Sequence, residues 1–87
     1  MYSIQFHKQV QKFIQSRTKQ EKLRFKDKFQ KLSQNPFSTN QELDIKKMEG
    51  INFYRLRIGT YRFIYSIENS ELIIYIEKAG NRGDIYK

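Results

Sequence analysis

Apolar and polar positions change period along this chain, and each change marks an element. Tyr2 to Phe6 alternates apolar with polar, the two-residue period of a half-buried strand. From His7 to Gln15 the period lengthens, and Val10, Phe13 and Ile14 fall on one side of a short amphipathic helix. Thr18-Lys-Gln-Glu21 has the form of a capping box: the Thr18 hydroxyl accepts from the backbone of Glu21 while the Glu21 side chain reaches back. The helix it opens is expected to run to about Gln34, where Asn35-Pro36 stops it. Its buried stripe is Phe25, Phe29 and Leu32, with Lys22, Lys26 and Lys28 largely outside. The two helices form an αα-hairpin.

The most strongly patterned stretch is Phe53 to Tyr65, which reads as two strands joined by Gly59-Thr60. Glycine at the first central position suits a type II′ turn. That turn sets Ile58 opposite Tyr61, Arg57 opposite Arg62, Leu56 opposite Phe63 and Arg55 opposite Ile64. Tyr54, Leu56, Ile58, Tyr61, Phe63 and Tyr65 then share an apolar face, and Arg55, Arg57 and Arg62 share the other. Like charges directly opposed cost about 0.2–1 kcal/mol, so the Arg57/Arg62 pair is better suited to holding an anion than to being left alone. Phe37 to Gly50 is the least patterned segment and reads as a loop anchored by Leu43, Ile45 and Met48, with Lys46-Lys47 just before the hairpin. After the hairpin, Asn69-Ser70 reads as a second two-residue turn. Leu72 to Ile76 is apolar enough for an interior strand. That loop length predicts Leu72, Ile74 and Ile76 on the core face, and Tyr75 and Glu77 on the arginine face with Glu77 opposite Arg62. Ala79 to Asp84 is turn-rich, and Ile85-Tyr-Lys87 follows. The expected architecture is α+β, in the order β-α-α-β-β-β. An N-terminal strand and a helical hairpin pack on one face of an antiparallel sheet whose other face is open and basic.

With 87 residues, the chain is expected to be a single domain, residues 1–87, with a thin core that draws heavily on seven Phe and six Tyr. No stretch approaches the roughly 20 apolar residues of a membrane span, so a soluble cytoplasmic protein is expected. A net charge of +8 points to an anionic partner, nucleic acid first and an acidic protein segment second. The absences narrow the chemistry further. There is no cysteine and only one histidine, His7, which reads as a surface or capping residue, so thiolate and multi-histidine metal sites are excluded. The four glycines are scattered and make no phosphate loop. Carboxylates are few and mostly beside basic residues, unlike a paired acid/base or multi-carboxylate magnesium site. No metal or cofactor is expected. What remains are guanidiniums, which hold phosphate bidentately and stabilise charge on a transferring phosphoryl group. Without a metal, phosphodiester cleavage is easiest when the substrate supplies its own nucleophile, as the 2′-OH of RNA does. Three arginines on a strand face are equally compatible with a solvated surface.

Tyr54-Arg-Leu-Arg-Ile-Gly-Thr-Tyr-Arg-Phe-Ile-Tyr65, followed by Gly80-Asn-Arg-Gly-Asp-Ile-Tyr86, resembles the RelE/ParE superfamily of toxins from type II toxin–antitoxin systems. The likeness extends to the Leu43–Gly50 segment and the N-terminal strand–helix–helix order. The resemblance to the RelE branch implies a ribosome-dependent mRNA endonuclease that cleaves in the ribosomal A site with basic residues in place of a metal. It implies site residues Arg55 and Arg57 on one strand, Arg62 on the next, then Arg82 and Tyr86. In the implied mechanism the RNA 2′-OH attacks the adjacent phosphate, Arg62 and Arg82 stabilise the phosphorane, and Tyr86 stacks on or orients the base. Some members carry lysine where this chain has Arg55 and Arg57. An arginine pKa above about 12 makes Arg57 an electrostatic clamp rather than a base. The implied partners are mRNA in the ribosomal A site and an acidic, partly disordered antitoxin that covers the arginine face. Two other functions fit the same residues: a ParE-like inhibitor of DNA gyrase, and a non-catalytic basic nucleic-acid- or protein-binding module.

Overall fold

The computed structural model describes residues 1–48, 50 and 52–81. In chain order the elements are β1 (Ser3–Phe6), α1 (Lys8–Gln15), α2 (Lys19–Gln34), β2 (Asp44–Lys47), β3 (Tyr54–Ile58), β4 (Tyr61–Glu68) and β5 (Ile73–Asn81). The strands form one five-stranded sheet in the order β1-β5-β4-β3-β2. The class is α+β, with both helices on one face.

The helix boundaries follow from local chemistry. His7 caps α1, its Nδ1 accepting from the backbone N–H of Gln9 at 3.2 Å. Both halves of the capping box at α2 are made. The Glu21 N–H donates to the Thr18 hydroxyl at 3.2 Å, and the Thr18 N–H donates to Glu21 Oε1 at 3.1 Å. A cap of this kind is worth about 1 kcal/mol. None of the helices among the described residues is long and apolar enough to cross a membrane.

The core lies between the helical hairpin and one sheet face. Val10, Phe25, Phe29 and Leu32 come from the helices; Leu56, Ile58, Phe63, Tyr65, Ile74 and Ile76 come from β3, β4 and β5. Phe63 sits at its centre, meeting Phe13, Phe25 and Phe29 edge-on at centroid separations of 6.1, 5.2 and 5.1 Å. Edge-to-face pairs of this kind add about 0.5–1.5 kcal/mol each beyond burial. Tyr65, fully buried, donates its hydroxyl to the carbonyl of Pro36 at 2.7 Å, which ties the end of α2 to the sheet. Burial, and secondarily the neighbouring Tyr54, push the Tyr65 hydroxyl far above its ordinary pKa, so it stays protonated and able to donate.

The β3–β4 hairpin has the register expected from its turn: Ile58 faces Tyr61, Arg57 faces Arg62, Leu56 faces Phe63 and Arg55 faces Ile64. Gly59 has φ +60° while Thr60 keeps a negative φ, as a type II′ turn requires.

Elsewhere the structure departs from expectation. Strand β5 continues to Asn81, so Ala79, Gly80 and Asn81, expected in a turn-rich segment, pair with β4 instead. Four further differences concern the pairing. First, the segment before the hairpin contains a strand, β2, paired antiparallel with β3. Its one apolar residue, Ile45, is too weak a signal to reveal it; the pairing is set by β3, with Asp44 opposite Arg57 and Lys46 opposite Arg55. Second, β1 pairs with β5 in parallel, so the otherwise antiparallel sheet is mixed. Third, the β4–β5 turn is longer than Asn69-Ser70, because Glu68 faces Ile73 and residues 69–72 lie between them. Leu72 leaves the core face and sits in the turn, 45% exposed, with φ +55°. Fourth, the register shifts between Ile64 and Tyr65, with Glu77 the extra residue. Arg62 therefore faces Gly80 rather than Glu77. Ile74 and Ile76 stay on the core face because a two-residue shift preserves the pleat.

Candidate functional site

The sheet face opposite the helices is built of cross-strand rows. One row is Asp44–Arg57–Arg62–Gly80, running from β2 through β3 and β4 to β5; the next is Lys46–Arg55–Ile64–Lys78. Alternation along each strand puts these residues on one face, because their neighbours Leu56, Ile58, Phe63 and Tyr65 are committed to the core. Seating the apolar half of the hairpin therefore brings the arginines together.

Arg57 and Arg62 occupy directly opposed positions and line one open concavity of about 550 Å³, together with Gly59, Thr60 and Asn81. The glycine at the turn and the side-chain-free Gly80 opposite Arg62 keep that end of the face low. Two of its lining residues carry guanidinium groups, one from each of two strands, and guanidinium groups can hold phosphate bidentately.

Arg55 is placed differently. Its Nη2 donates to Asp44 Oδ1 at 2.8 Å, its side chain is 15% exposed, and its Nε is buried with no hydrogen-bond partner among the described residues. The second Asp44 oxygen lies 3.6 Å from Nε of Arg57, whose side chain is 45% exposed. Asp44 thus holds Arg55 tightly and touches Arg57 from the side away from Arg62. This carboxylate, on a strand that the sequence pattern does not reveal, divides the three arginines. Arg55 is held in the closer ion pair, Arg57 shares the same carboxylate at longer range, and Arg57 and Arg62 line the concavity. The signal that could have exposed Asp44 is its charge, an acid two residues before Lys46-Lys47 and upstream of the arginine-bearing strand.

Arg82 and Tyr86 lie outside the described residues; Asn81, which precedes Arg82 in the chain, lines the concavity. Among the described residues no group of three or more His, Asp or Glu side chains could hold a metal ion.

At the same end of the hairpin, on the core face, a polar cluster joins the helices to the sheet. The Tyr61 hydroxyl donates to Glu21 Oε2, and Arg17 lies over the rings of Phe13 and Tyr61, 4.7 and 5.7 Å from their centroids. The Tyr61 hydrogen bond, followed by the Thr18 N–H, holds the Glu21 carboxyl below its ordinary pKa.

A family model described as "ParE toxin of type II toxin-antitoxin system, parDE" matches residues 3–86. The chain is 31% identical to RelE1 of Methanocaldococcus jannaschii over 87 residues, covering 99% of this chain and 96% of that protein. Its fold is similar to the crystal structure of the archaeal RelE–RelB complex from Pyrococcus horikoshii, with 36% identity, a TM-score of 0.82, and coverage of 95% and 97% of the two chains. It is also similar to isolated Escherichia coli RelE, with a TM-score of 0.77 and coverage of 99% and 92%; at 16% identity that likeness concerns the fold alone. A match running through almost every position, with the same strand–hairpin–sheet order, leads to one conclusion: this chain belongs to the RelE/ParE superfamily of toxins of type II toxin–antitoxin systems.

Proposed function

We propose that this toxin is a metal-free endoribonuclease that cuts messenger RNA in the ribosomal A site and is held inactive by an acidic antitoxin. The observation that carries the reading is the direct opposition of Arg57 and Arg62 on the wall of one concavity. In the proposed reaction the 2′-OH of the substrate attacks its own 3′-phosphate. The new O–P bond closes a 2′,3′-cyclic phosphate as the bond to the 5′-oxygen of the next nucleotide breaks; the 2′-OH gives its proton to solvent and the departing 5′-oxygen takes one up as a hydroxyl. Negative charge builds on the phosphoryl oxygens in between, and Arg57 and Arg62 stabilise it. In the same reading Arg82 adds a third guanidinium and Tyr86 orients a base. Arg55, bound to Asp44, contributes field and support from the neighbouring row.

The partner follows from charge and from the relatives. A chain of +8 suits an acidic binding segment, and the Pyrococcus horikoshii relative was solved as a complex with RelB. We propose that an antitoxin of that class covers the arginine face.

The test is induction without antitoxin, with growth followed and transcript ends mapped. Wild-type protein is expected to arrest growth and leave messages with new 5′-hydroxyl ends. Arg62→Ala is expected to lower cleavage about 10²–10³-fold, the usual cost of one donor that stabilises developing charge, while the protein stays folded. Undiminished cutting by Arg57→Ala and Arg62→Ala would sink the assignment. The family model's own description favours a second reading, inhibition of DNA gyrase in the manner of ParE. DNA damage on induction with messages intact would select it.

A further inference from the structure

Tyr75 stands apart from the other described tyrosines. Tyr2, Tyr54, Tyr61 and Tyr65 each make a hydrogen bond or a ring contact. Tyr75 makes neither among the described residues. It is half-buried on β5, on the face opposite the helices, between Ser66 of β4 and Gln5 of β1. The Ile73-Ile74-Tyr75-Ile76 run of β5 thus places one large flat ring on the face opposite the helices, with no hydrogen bond to its hydroxyl and no ring against it among the described residues.

The ring lies on the same face as the arginine pair. From the Arg62–Gly80 row to the Ser66–Tyr75 row is four residues along β4, about 13 Å. Between the two rows stands Lys78, opposite Ile64, exposed and in no salt bridge among the described residues. Glu77, the residue displaced by the bulge, is the one carboxylate this part of β5 adds. Guanidinium pair, ammonium and aromatic ring therefore follow one another across neighbouring strands β3, β4 and β5 on one face of the sheet. An aromatic ring spaced from a basic groove in this way is the arrangement that binds single-stranded nucleic acid, with stacking for the bases and cations for the backbone.

We infer that the open face of β4 and β5 is a track for single-stranded RNA, in which Tyr75 stacks on a nucleobase flanking the phosphate held at Arg57 and Arg62, and Lys78 contacts the intervening backbone phosphate. The track extends the proposed substrate site by one or two nucleotides and rests on that reading. Stacking is tolerant of base identity, so Tyr75 contributes affinity and alignment rather than sequence choice. Ser66 and Gln5, on either side of the ring, are the polar groups placed to meet a base edge.

The test uses the full chain and an eight-nucleotide 2′-O-methyl RNA, which cannot be cut because its 2′-oxygens are blocked. Binding is followed by fluorescence anisotropy over a salt series. Tyr75→Ala is expected to weaken binding about 5- to 150-fold with the salt dependence unchanged, and Tyr75→Phe to bind within about twofold of wild type. Lys78→Ala is expected to lower the slope of log affinity against log salt by about 0.7, the loss of one single-strand phosphate contact. Wild-type affinity in Tyr75→Ala, or equal weakening by Tyr75→Phe, would overturn the inference. So would a Tyr75→Ala variant that keeps the octamer but loses an acidic antitoxin peptide, since the face would then serve a protein. Arg57→Ala and Arg62→Ala separate the two levels. If neither weakens the octamer, the phosphate site itself is wrong; if both do and Tyr75→Ala does not, only the track is wrong.

Discussion

A single residue type at a single position decides where the arginines go. Gly59 adopts φ +60°, a conformation that costs other L-residues roughly 1–2 kcal/mol, and a Cβ there would lie 3.0 Å from Nη1 of Arg24. The Arg24 tip is mobile enough to move aside, so backbone strain sets the penalty. Gly59→Ala is expected to destabilise the protein by about 1 kcal/mol, a fall of about 4–8 °C in a thermal melt of a domain this size. An unchanged melting temperature would contradict the turn assignment. The same glycine explains why the Arg57/Arg62 opposition was legible in the sequence: a two-residue loop starting with Gly admits one register. Asp44 was not legible in its role, because nothing local to it says that Arg55 and Arg57 will lie across from it.

Among elements, those carrying their own signals matched expectation and those defined by neighbours did not. Helix α2 is announced by its capping box and stopped by Asn35-Pro36, and its Phe25, Phe29 and Leu32 stripe is buried as its period requires. Strand β2 has no such signal, and the bulge in β5 leaves none in the pattern, since inserting Glu77 changes which residue faces Arg62 without changing which isoleucines face the core. The cap also makes a pH prediction. Glu21 has a folded-state pKa below its ordinary value near 4.5, chiefly through the Tyr61 hydroxyl and then the Thr18 N–H. A depressed carboxyl pKa contributes stability that is fully present above the unfolded-state value and is lost as pH falls through the folded one. The stability difference between wild type and Glu21→Gln should therefore be constant above about pH 5 and shrink below it. Chemical denaturation of both proteins across pH 3–7 would read this directly, and a pH-independent difference would rule out the Tyr61–Glu21 linkage.

At the scale of the whole molecule, aromatic packing holds the basic face together. Phe63 joins both helices to the centre of the sheet through its contacts with Phe13, Phe25 and Phe29. Phe63→Ala is expected to cost about 3–5 kcal/mol, much of the 5–15 kcal/mol that usually holds a domain folded. Loss of the cooperative transition in a melt is the expected result, and a shift of only a few degrees would show that the core relaxes around the gap. Net charge and the absence of cysteine spoke about partners and chemistry, while the sheet order remained hidden in the sequence. The parallel β1–β5 pair joins the two ends of the chain, and no local pattern encodes that contact.

That pairing governs when the molecule can act during its own synthesis. Ser3 finds its neighbour only in Ile73, and the wall of the concavity is finished by Asn81. A ribosome making this polypeptide therefore carries an incomplete sheet until residues 73–81 have emerged, because contacts between distant parts of the chain form only once both are free of it. Biosynthesis itself thus imposes an interval in which β1 has emerged and its sheet neighbour has not.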